Sequence, residues 1–201
     1  MRARRRDERG GILVELAMVV PLLIALLLGV VDFAVVFSEK IDLRGGVREA
    51  SWNGSRTIFG SRQPCPLTGF TGSGFGSADA NAQRVMCMAK RRADLDPNTM
   101  RVKVVIFDLD TDAQFTSGDP SAYFVAGHGI LVCSMRSTRS TTRFYAGLLD
   151  DGVQRARLSN VILRNNDGGT PPTPTPVASA EESPLPGQSW TWCDPAVAPP
   201  E

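Results

Sequence analysis

Few side chains in this 201-residue sequence could carry out catalysis. The single histidine, His128, lies in the run FVAGHGI and has no nucleophile motif beside it. Triads and acid-base pairs need such a partner within hydrogen-bond reach. The run GSGFGS has the spacing G-x-G-x-G, whereas dinucleotide-binding loops have G-x-G-x-x-G. We therefore expect His128 to be an ordinary strand residue, and we predict no catalytic residue, no cofactor and no enzymatic activity.

One acidic run, DLDTDAQFTSGD, has a spacing that could bind a metal ion. Asp108, Asp110 and Asp112 occupy alternate positions and Asp119 the twelfth, as in a calcium-binding loop. However, Ala113 stands where that loop has a glycine, and Asp119 stands where it has a bidentate glutamate. We interpret the run as an acidic solvated turn, with calcium binding as the alternative, and assign no metal ligand.

The four cysteines predict disulfides. They are Cys65, Cys87, Cys133 and Cys193. A zinc site is not favoured, because there is no C-x-x-C spacing and only one histidine. Of the three possible pairings we favour Cys65 with Cys87, joining a loop to a helix, and Cys133 with Cys193, joining the tail to a sheet. Buried free thiols are the alternative.

The charge distribution does not favour a nucleic acid as partner. The chain has 22 basic and 21 acidic residues, for a net charge of +1. Arg136, Arg139 and Arg143 are grouped among serines and threonines, but no aromatic residues are interleaved with them. This group indicates a polar loop rather than a nucleic-acid-binding surface.

Residues 12–37 form an apolar run, ILVELAMVVPLLIALLLGVVDFAVVF, interrupted only by Glu15, Pro21 and Asp32. About 20 apolar residues suffice to span a bilayer as a helix. The rest of the chain looks too small and too polar to bury such a helix. We therefore predict a transmembrane helix over residues 12–37.

The flanking charges predict the orientation of this helix. Five arginines precede it against two acids, whereas the basic residues that follow it are matched by acidic ones. Because a basic flank stays in the cytoplasm, residues 1–11 should form a cytoplasmic leader and the C-terminal bulk should lie outside. A cleaved secretory signal is the alternative, but the run is longer than a usual signal core and no A-x-A-like site follows it.

A charged Glu15 is energetically unfavourable within an apolar transmembrane helix, since an unpaired carboxylate in hydrocarbon costs several kcal/mol. Its surroundings, RGGILVELAMVVPLL, resemble the class III leader junction of type IV pilins and of TadE-like pseudopilins of the bacterial Tad (tight adherence) pilus. The resemblance implies that a prepilin peptidase cuts after a glycine and that a glutamate stands fifth in the product. Cleavage after Gly10 meets this condition, whereas cleavage after Gly11 would make Glu15 the fourth residue.

The resemblance also suggests a use for Glu15 and Pro21. The carboxylate could pair with the new N-terminal ammonium of a neighbouring subunit when helices assemble, so that each charge compensates the other. Pro21 would kink or loosen the helix. The alternative is that Glu15 lies in the first helical turn, where the helix dipole and headgroup water tolerate it.

An α+β domain is predicted over residues 38–167. We expect a stalk helix through SEKIDLRGGVREASWNGSRTIF with Ile41, Val47, Ala50 and Ile58 on one face, and Gly45-Gly46 as a weak point. A loop over 60–76, a second helix capped by Ser77 or Asp79, and a short antiparallel sheet should follow. The strands are predicted at 100–109, 123–137 and 153–163, with a short helix over 142–152 before the last.

Residues 168–201 should form a proline-rich tail. The stretch TPPTPTPVASAEESPLP, residues 170–186, predicts a disordered, extended spacer. Trp190 and Trp192 lie beside Cys193, and we expect them to dock on the domain near a disulfide. A role of these tryptophans in surface adhesion is the alternative.

The order of elements in residues 38–167 also resembles the part of TadE-like proteins outside the cytoplasm, although Arg164-Asn165-Asn166-Asp167 has one asparagine more than the family's usual ending. The resemblance implies a minor pilin or pseudopilin in the cytoplasmic membrane that helps to assemble a pilus for adhesion or secretion. Its partners would be the membrane, other pilins, the assembly machinery and the prepilin peptidase. An unprocessed anchored binding module, which the acidic run could make dependent on calcium, is the alternative function.

Overall fold

The structure is a computed structural model that describes residues 7–56, 80–93, 99–114, 126–138, 152–163 and 180–197. The chain divides into two compact units. One comprises residues 1–38 and 138–152, and the other comprises residues 39–137 and 153–201. Helix α1, Asp7–Arg56, contributes residues to both.

Within the described residues, α1 is the one helix that is long and apolar enough to cross a membrane. It continues through Gly45 and Gly46, so the segments predicted as a transmembrane helix and a stalk form a single helix. Pro21 also lies inside it. Leu13, Met18, Leu22 and other large apolar residues of its first half are exposed, as expected for a segment that is covered by lipid or by other helices.

The second unit has an α+β fold, as predicted. Its helix α2 spans Ala80–Ala93. The long strands are β1 (Met100–Asp108), β2 (His128–Ser137) and β3 (Val153–Val161), and the two-residue strand β4 is Ala180–Glu181. All neighbours pair antiparallel in the order β3-β2-β1-β4. The predicted loop at 60–76, the caps Ser77 and Asp79, Ile58 and residues 142–151 of the predicted short helix lie outside the described residues.

One face of the sheet packs against α1 and α2. Buried side chains from alternate positions of β1, including Val102, Val104 and Ile106, meet Leu43, Val47 and Ala50 of α1 in one apolar cluster. Ile41 was predicted to share this face, but 55% of it is exposed. The reason is geometric: Ile41 precedes Leu43 by two residues, which is about 200° around the helix.

The other face of the sheet is covered by residues 180–197, called the C-terminal segment below. Val105, Leu131 and Met135 form a second apolar cluster with Leu185 and Trp190. The spacer predicted over residues 170–186 is therefore wrong for residues 180–186, because Ala180 and Glu181 pair with β1 and Leu185 enters the core. A sheet with apolar side chains on both faces needs a cover on each, and this segment supplies the second.

Glu182 fixes this segment to the rest of the unit. Its carboxylate forms a buried ion pair with Lys90 of α2 and accepts a hydrogen bond from the backbone N–H of Val102 at 2.7 Å. Its own N–H donates to the Val102 carbonyl at 3.1 Å, and its carbonyl accepts from Trp190 Nε1 at 2.9 Å. Burial lowers the pKa of Lys90 from its usual 10.5, and the hydrogen bond to Glu182 opposes that shift.

Gly46 and Gly45 provide a matched pair that tests the packing of α1 on α2. A Cβ at Gly46 would lie 2.5 Å from the Ala89 carbonyl oxygen, whereas a Cβ at Gly45 would meet nothing within 4 Å. Gly46→Ala should therefore lower the free energy of unfolding by about 1 to 3 kcal/mol through overpacking. Gly45→Ala should raise it by about 0.5 to 1 kcal/mol through helix propensity. Urea unfolding of the solubilised protein, followed by tryptophan fluorescence, measures both; equal shifts would contradict this packing.

Glu182 and its neighbour Glu181 test the buried ion pair. Glu182→Gln should destabilise the unit by about 3 to 5 kcal/mol, since Lys90 would remain buried without its counter-charge. The double variant Lys90→Met with Glu182→Gln removes that charge and should recover most of the loss in the same unfolding assay. Glu181→Gln breaks a partly exposed pair with Lys103 and should cost less than about 1 kcal/mol. A Glu182→Gln variant as stable as Glu181→Gln would refute the assignment.

Candidate processing and assembly segment

The predicted leader junction lies inside α1. The helix begins at Asp7, so Gly10 and Gly11 are both helical. Gly11 is exposed, and a Cβ added there would meet nothing within 4 Å. Glu15 follows Gly11 by four residues, which places the two about one turn apart on the same side of the helix.

Glu15 is exposed on the surface of this helix. It comes eight residues after Asp7, about 12 Å along the axis, so the alternative that places it in the first turn is wrong for the intact chain. The helix dipole acts mainly within the first turn and cannot compensate a charge at that depth. If the chain began at Gly11, Glu15 would lie about 6 Å from the new terminus.

The surface around Glu15 is apolar on every side. Leu13, Val14, Leu16 and Met18 are all exposed, and they follow one another around the helix rather than along a single stripe. Farther along, the rings of Phe33 and Phe37 stack with their centroids 6.2 Å apart. Such a surface can be covered by lipid or by other apolar helices, and Glu15 is the acid that it presents.

Asp32 differs from Glu15, although both interrupt the same apolar run. Asp32 is only 2% exposed. The sequence carries no signal for this difference, because apolar residues flank both acids equally. The structure therefore leaves Glu15, and not Asp32, available to a partner outside the chain.

The disulfides follow the favoured pairing where the structure describes them. Cys133 of β2 is bonded to Cys193, and this bond attaches the C-terminal segment to the sheet as predicted. Cys87 of α2 is also disulfide-bonded. Cys65, its predicted partner, lies outside the described residues.

The acidic run forms a turn after β1. One carboxylate oxygen of Asp108 accepts hydrogen bonds from the N–H groups of Asp110, at 2.9 Å, and Thr111, at 3.0 Å. These bonds lower the pKa of the Asp108 carboxyl group. Asp112 adopts a positive φ of 54° in the turn. Asp119 lies outside the described residues, so calcium binding by the full set remains an untested alternative to the predicted acidic turn.

His128 is the first residue of β2 and pairs in register with Asp108, so the prediction that it is a strand residue is confirmed.

Arg136, predicted as part of a polar loop, instead lies within β2. It is buried and pairs with Glu39 at 3.1 Å, because the Arg136 side chain reaches back to α1. Arg139 and Arg143 lie outside the described residues.

The tryptophans dock next to the disulfide, as expected. Trp190 is buried and its indole N–H is bonded to the Glu182 carbonyl. Trp192 lies 5.7 Å from it, measured between ring centroids, and Arg155 stacks over Trp192 at 5.9 Å. Their faces are thus used within the domain, which does not favour the alternative of surface adhesion.

Sequence reasoning missed a basic groove in the second unit. The groove has a volume of about 440 Å³. Its described lining comes from α1 and β3, and consists of Arg44, Val47, Arg48, Arg155, Ala156, Arg157 and Leu158. The spacing of Arg44 and Arg48 was a visible signal for a basic helix face, but the adjacent strand that makes it a groove was not.

Comparison with known proteins locates the resemblance on the same segment. No match was found among curated proteins or among solved structures. Residues 10–52 match the model of a protein family, described as TadE-like protein. This range begins at the predicted junction, includes Glu15 and Pro21, and ends at Trp52 of α1. Residues 10–52 are therefore similar to TadE-like proteins, and the resemblance inferred from the junction is confirmed over this range.

Proposed function

We propose that this protein is a membrane-anchored pseudopilin or minor pilin that takes part in assembling a Tad-type pilus. Its role is assembly rather than catalysis. The observation that carries the proposal is Glu15, an exposed acid on an otherwise apolar helical surface within the TadE-like segment.

The physical argument concerns the cost of that acid. In a bilayer, an exposed carboxylate at this depth of the helix needs a counter-charge. A prepilin peptidase that cuts after Gly10 would create an ammonium group at Gly11, and the same group on a neighbouring subunit could pair with Glu15. Since a buried charge without its partner is strongly unfavourable, the pair would set the register of one helix against the next.

Two further features support an anchored protein with its domain outside the cytoplasm. The five arginines of the leader favour a cytoplasmic N-terminus. The Cys133–Cys193 bond fits an oxidising compartment, where disulfides persist. Entry of the processed protein into an extracellular filament, for adhesion or secretion, is part of the proposal.

Glu15→Ala tests the assembly role. The variant should insert into the membrane at the normal level, because a substitution by alanine only makes the helix more apolar. Incorporation into pili, or pilus production, should be lost. The measurements are membrane fractionation and quantification of the protein in sheared pili, with Asp42→Ala as control, since Asp42 is an exposed acid on the same helix. Normal piliation with Glu15→Ala would reject the role.

The neighbouring glycines test the processing step. Gly10→Val should block cleavage, so that the membrane-extracted protein keeps its arginine leader. Gly11→Ala should leave cleavage intact and give alanine as the first residue, because an added Cβ meets no described atom within 4 Å. Intact mass and N-terminal sequencing distinguish the two. A wild-type protein that keeps its leader in a working pilus would instead favour the unprocessed anchored binding module.

A further inference from the structure

Strand β3 is an edge strand of the sheet. It pairs with β2 on one side, and no described strand pairs with its other side. An edge of this kind presents unpaired backbone N–H and C=O groups that can accept another strand. The basic groove defined above runs along this edge, with α1 as its second wall.

The register identifies the backbone groups that face outward. Ile162 donates its N–H to the His128 carbonyl at 2.8 Å, so the backbone groups of Ile162 point toward β2. Because these directions alternate along a strand, those of Arg155, Arg157 and Ser159 point to the open edge. Three consecutive outward positions give an added strand several backbone hydrogen bonds.

The α1 wall of the groove is positively charged. Arg44 and Arg48 are exposed, and neither forms an ion pair with any residue that the structure describes. Val47 lies between them in the lining and gives the groove an apolar floor together with Ala156 and Leu158. The side chains of Arg155 and Arg157 are directed elsewhere, since they bond to Gln188 and to the carbonyls of Trp192 and Val197.

The spacing of Arg44 and Arg48 matches the repeat of a β-strand. Side chains at i and i+4 of a helix are about 5 to 6 Å apart. Alternate side chains of a strand lie on the same face and are about 6.6 to 6.8 Å apart. Carboxylates at alternate positions of an added strand could therefore reach Arg44 and Arg48 together, each in a charge-assisted hydrogen bond.

We propose that the groove between α1 and β3 binds an extended acidic polypeptide segment, which adds to the β3 edge and places alternate carboxylates on Arg44 and Arg48. The backbone bonds supply affinity, and the two arginines select a segment with acids at every second position. This site is separate from Glu15 and does not depend on cleavage of the leader.

The test uses the solubilised full chain and a labelled peptide in which aspartate alternates with valine. Fluorescence anisotropy should detect saturable binding. A peptide with asparagine in place of aspartate should bind about tenfold more weakly or worse, since both charge-assisted contacts are lost. The double variant Arg44→Gln with Arg48→Gln should show a similar loss for the aspartate peptide. Arg91→Gln is the charge control, since Arg91 is exposed on α2 and outside the groove.

Strand addition is tested separately at Ser159, which is exposed and whose N–H faces the open edge. Ser159→Pro removes that donor and places a ring in the path of a strand, which an edge position tolerates. It should abolish binding, whereas Ser159→Ala should bind like the wild type. Circular dichroism and the unfolding midpoint verify that both variants fold; if Ser159→Pro does not, Ser159→Lys serves as the edge-blocking variant.

Three results would overturn the proposal. The aspartate peptide could fail to bind, Arg91→Gln could weaken binding as much as the groove variants, or edge-blocked protein could bind normally. A second copy of the chain is the other candidate occupant. Light scattering without peptide would reveal it as self-association that Ser159→Pro disrupts, and this too would refute an acidic partner.

Discussion

A carboxylate in apolar surroundings must be neutralised, and this chain meets that constraint in two different ways. Glu182 is buried against Lys90, and all of its polar groups are bonded. Glu15 is exposed on an apolar helix. The first acid is compensated from within the folded chain, so it serves the stability of the domain. No residue that the structure describes compensates the second, and in the function proposed above its counter-charge comes from a neighbouring subunit.

The ion pair of Glu182 with Lys90 also helps to explain why the C-terminal segment is folded against the sheet. This segment is rich in proline and has little capacity to form regular structure by itself. It is held instead by an ion pair, by a disulfide and by two apolar side chains, Leu185 and Trp190, that cover the second face of the sheet. The conformation of this segment is thus determined by tertiary contacts with residues far away in the sequence, and not by its local composition.

The sequence predicted those elements whose signal is local. The apolar run predicted α1. The β-branched run at 100–109 predicted β1, and the alternating run at 153–163 predicted β3, each to within a residue or two of its observed ends. The disulfide between Cys133 and Cys193 was also predicted. Strand β2 shows no alternation of buried and exposed residues, because both of its faces are buried. An alternating pattern could therefore not be used to predict it.

Features that depend on distant partners could not be predicted. The role of Glu182 requires Lys90, which lies 92 residues earlier. Arg136 resembled a loop residue by its serine and threonine neighbours, yet it pairs with Glu39 of α1. The groove likewise depends on α1 running beside β3, where Asn160 bonds to Ser51 at 2.8 Å. In each case the residue type was known from the sequence, but the residue that it contacts in the folded chain was not.

The helical state of the junction adds a physical requirement to the proposed processing. A peptidase binds its scissile bond in an extended or distorted form, so the first turns of α1 would have to unwind before cleavage. Each glycine within a helix costs about 0.8 to 1 kcal/mol relative to alanine, which makes the Gly10-Gly11 pair the least stable point of this region. The same two residues would therefore provide both a backbone without side chains at the proposed cut and the local weakness that exposes it. The apolar run that follows Gly11 has no such weak point until Pro21, so unwinding would stop before it reaches Glu15 and the surface proposed to act in assembly.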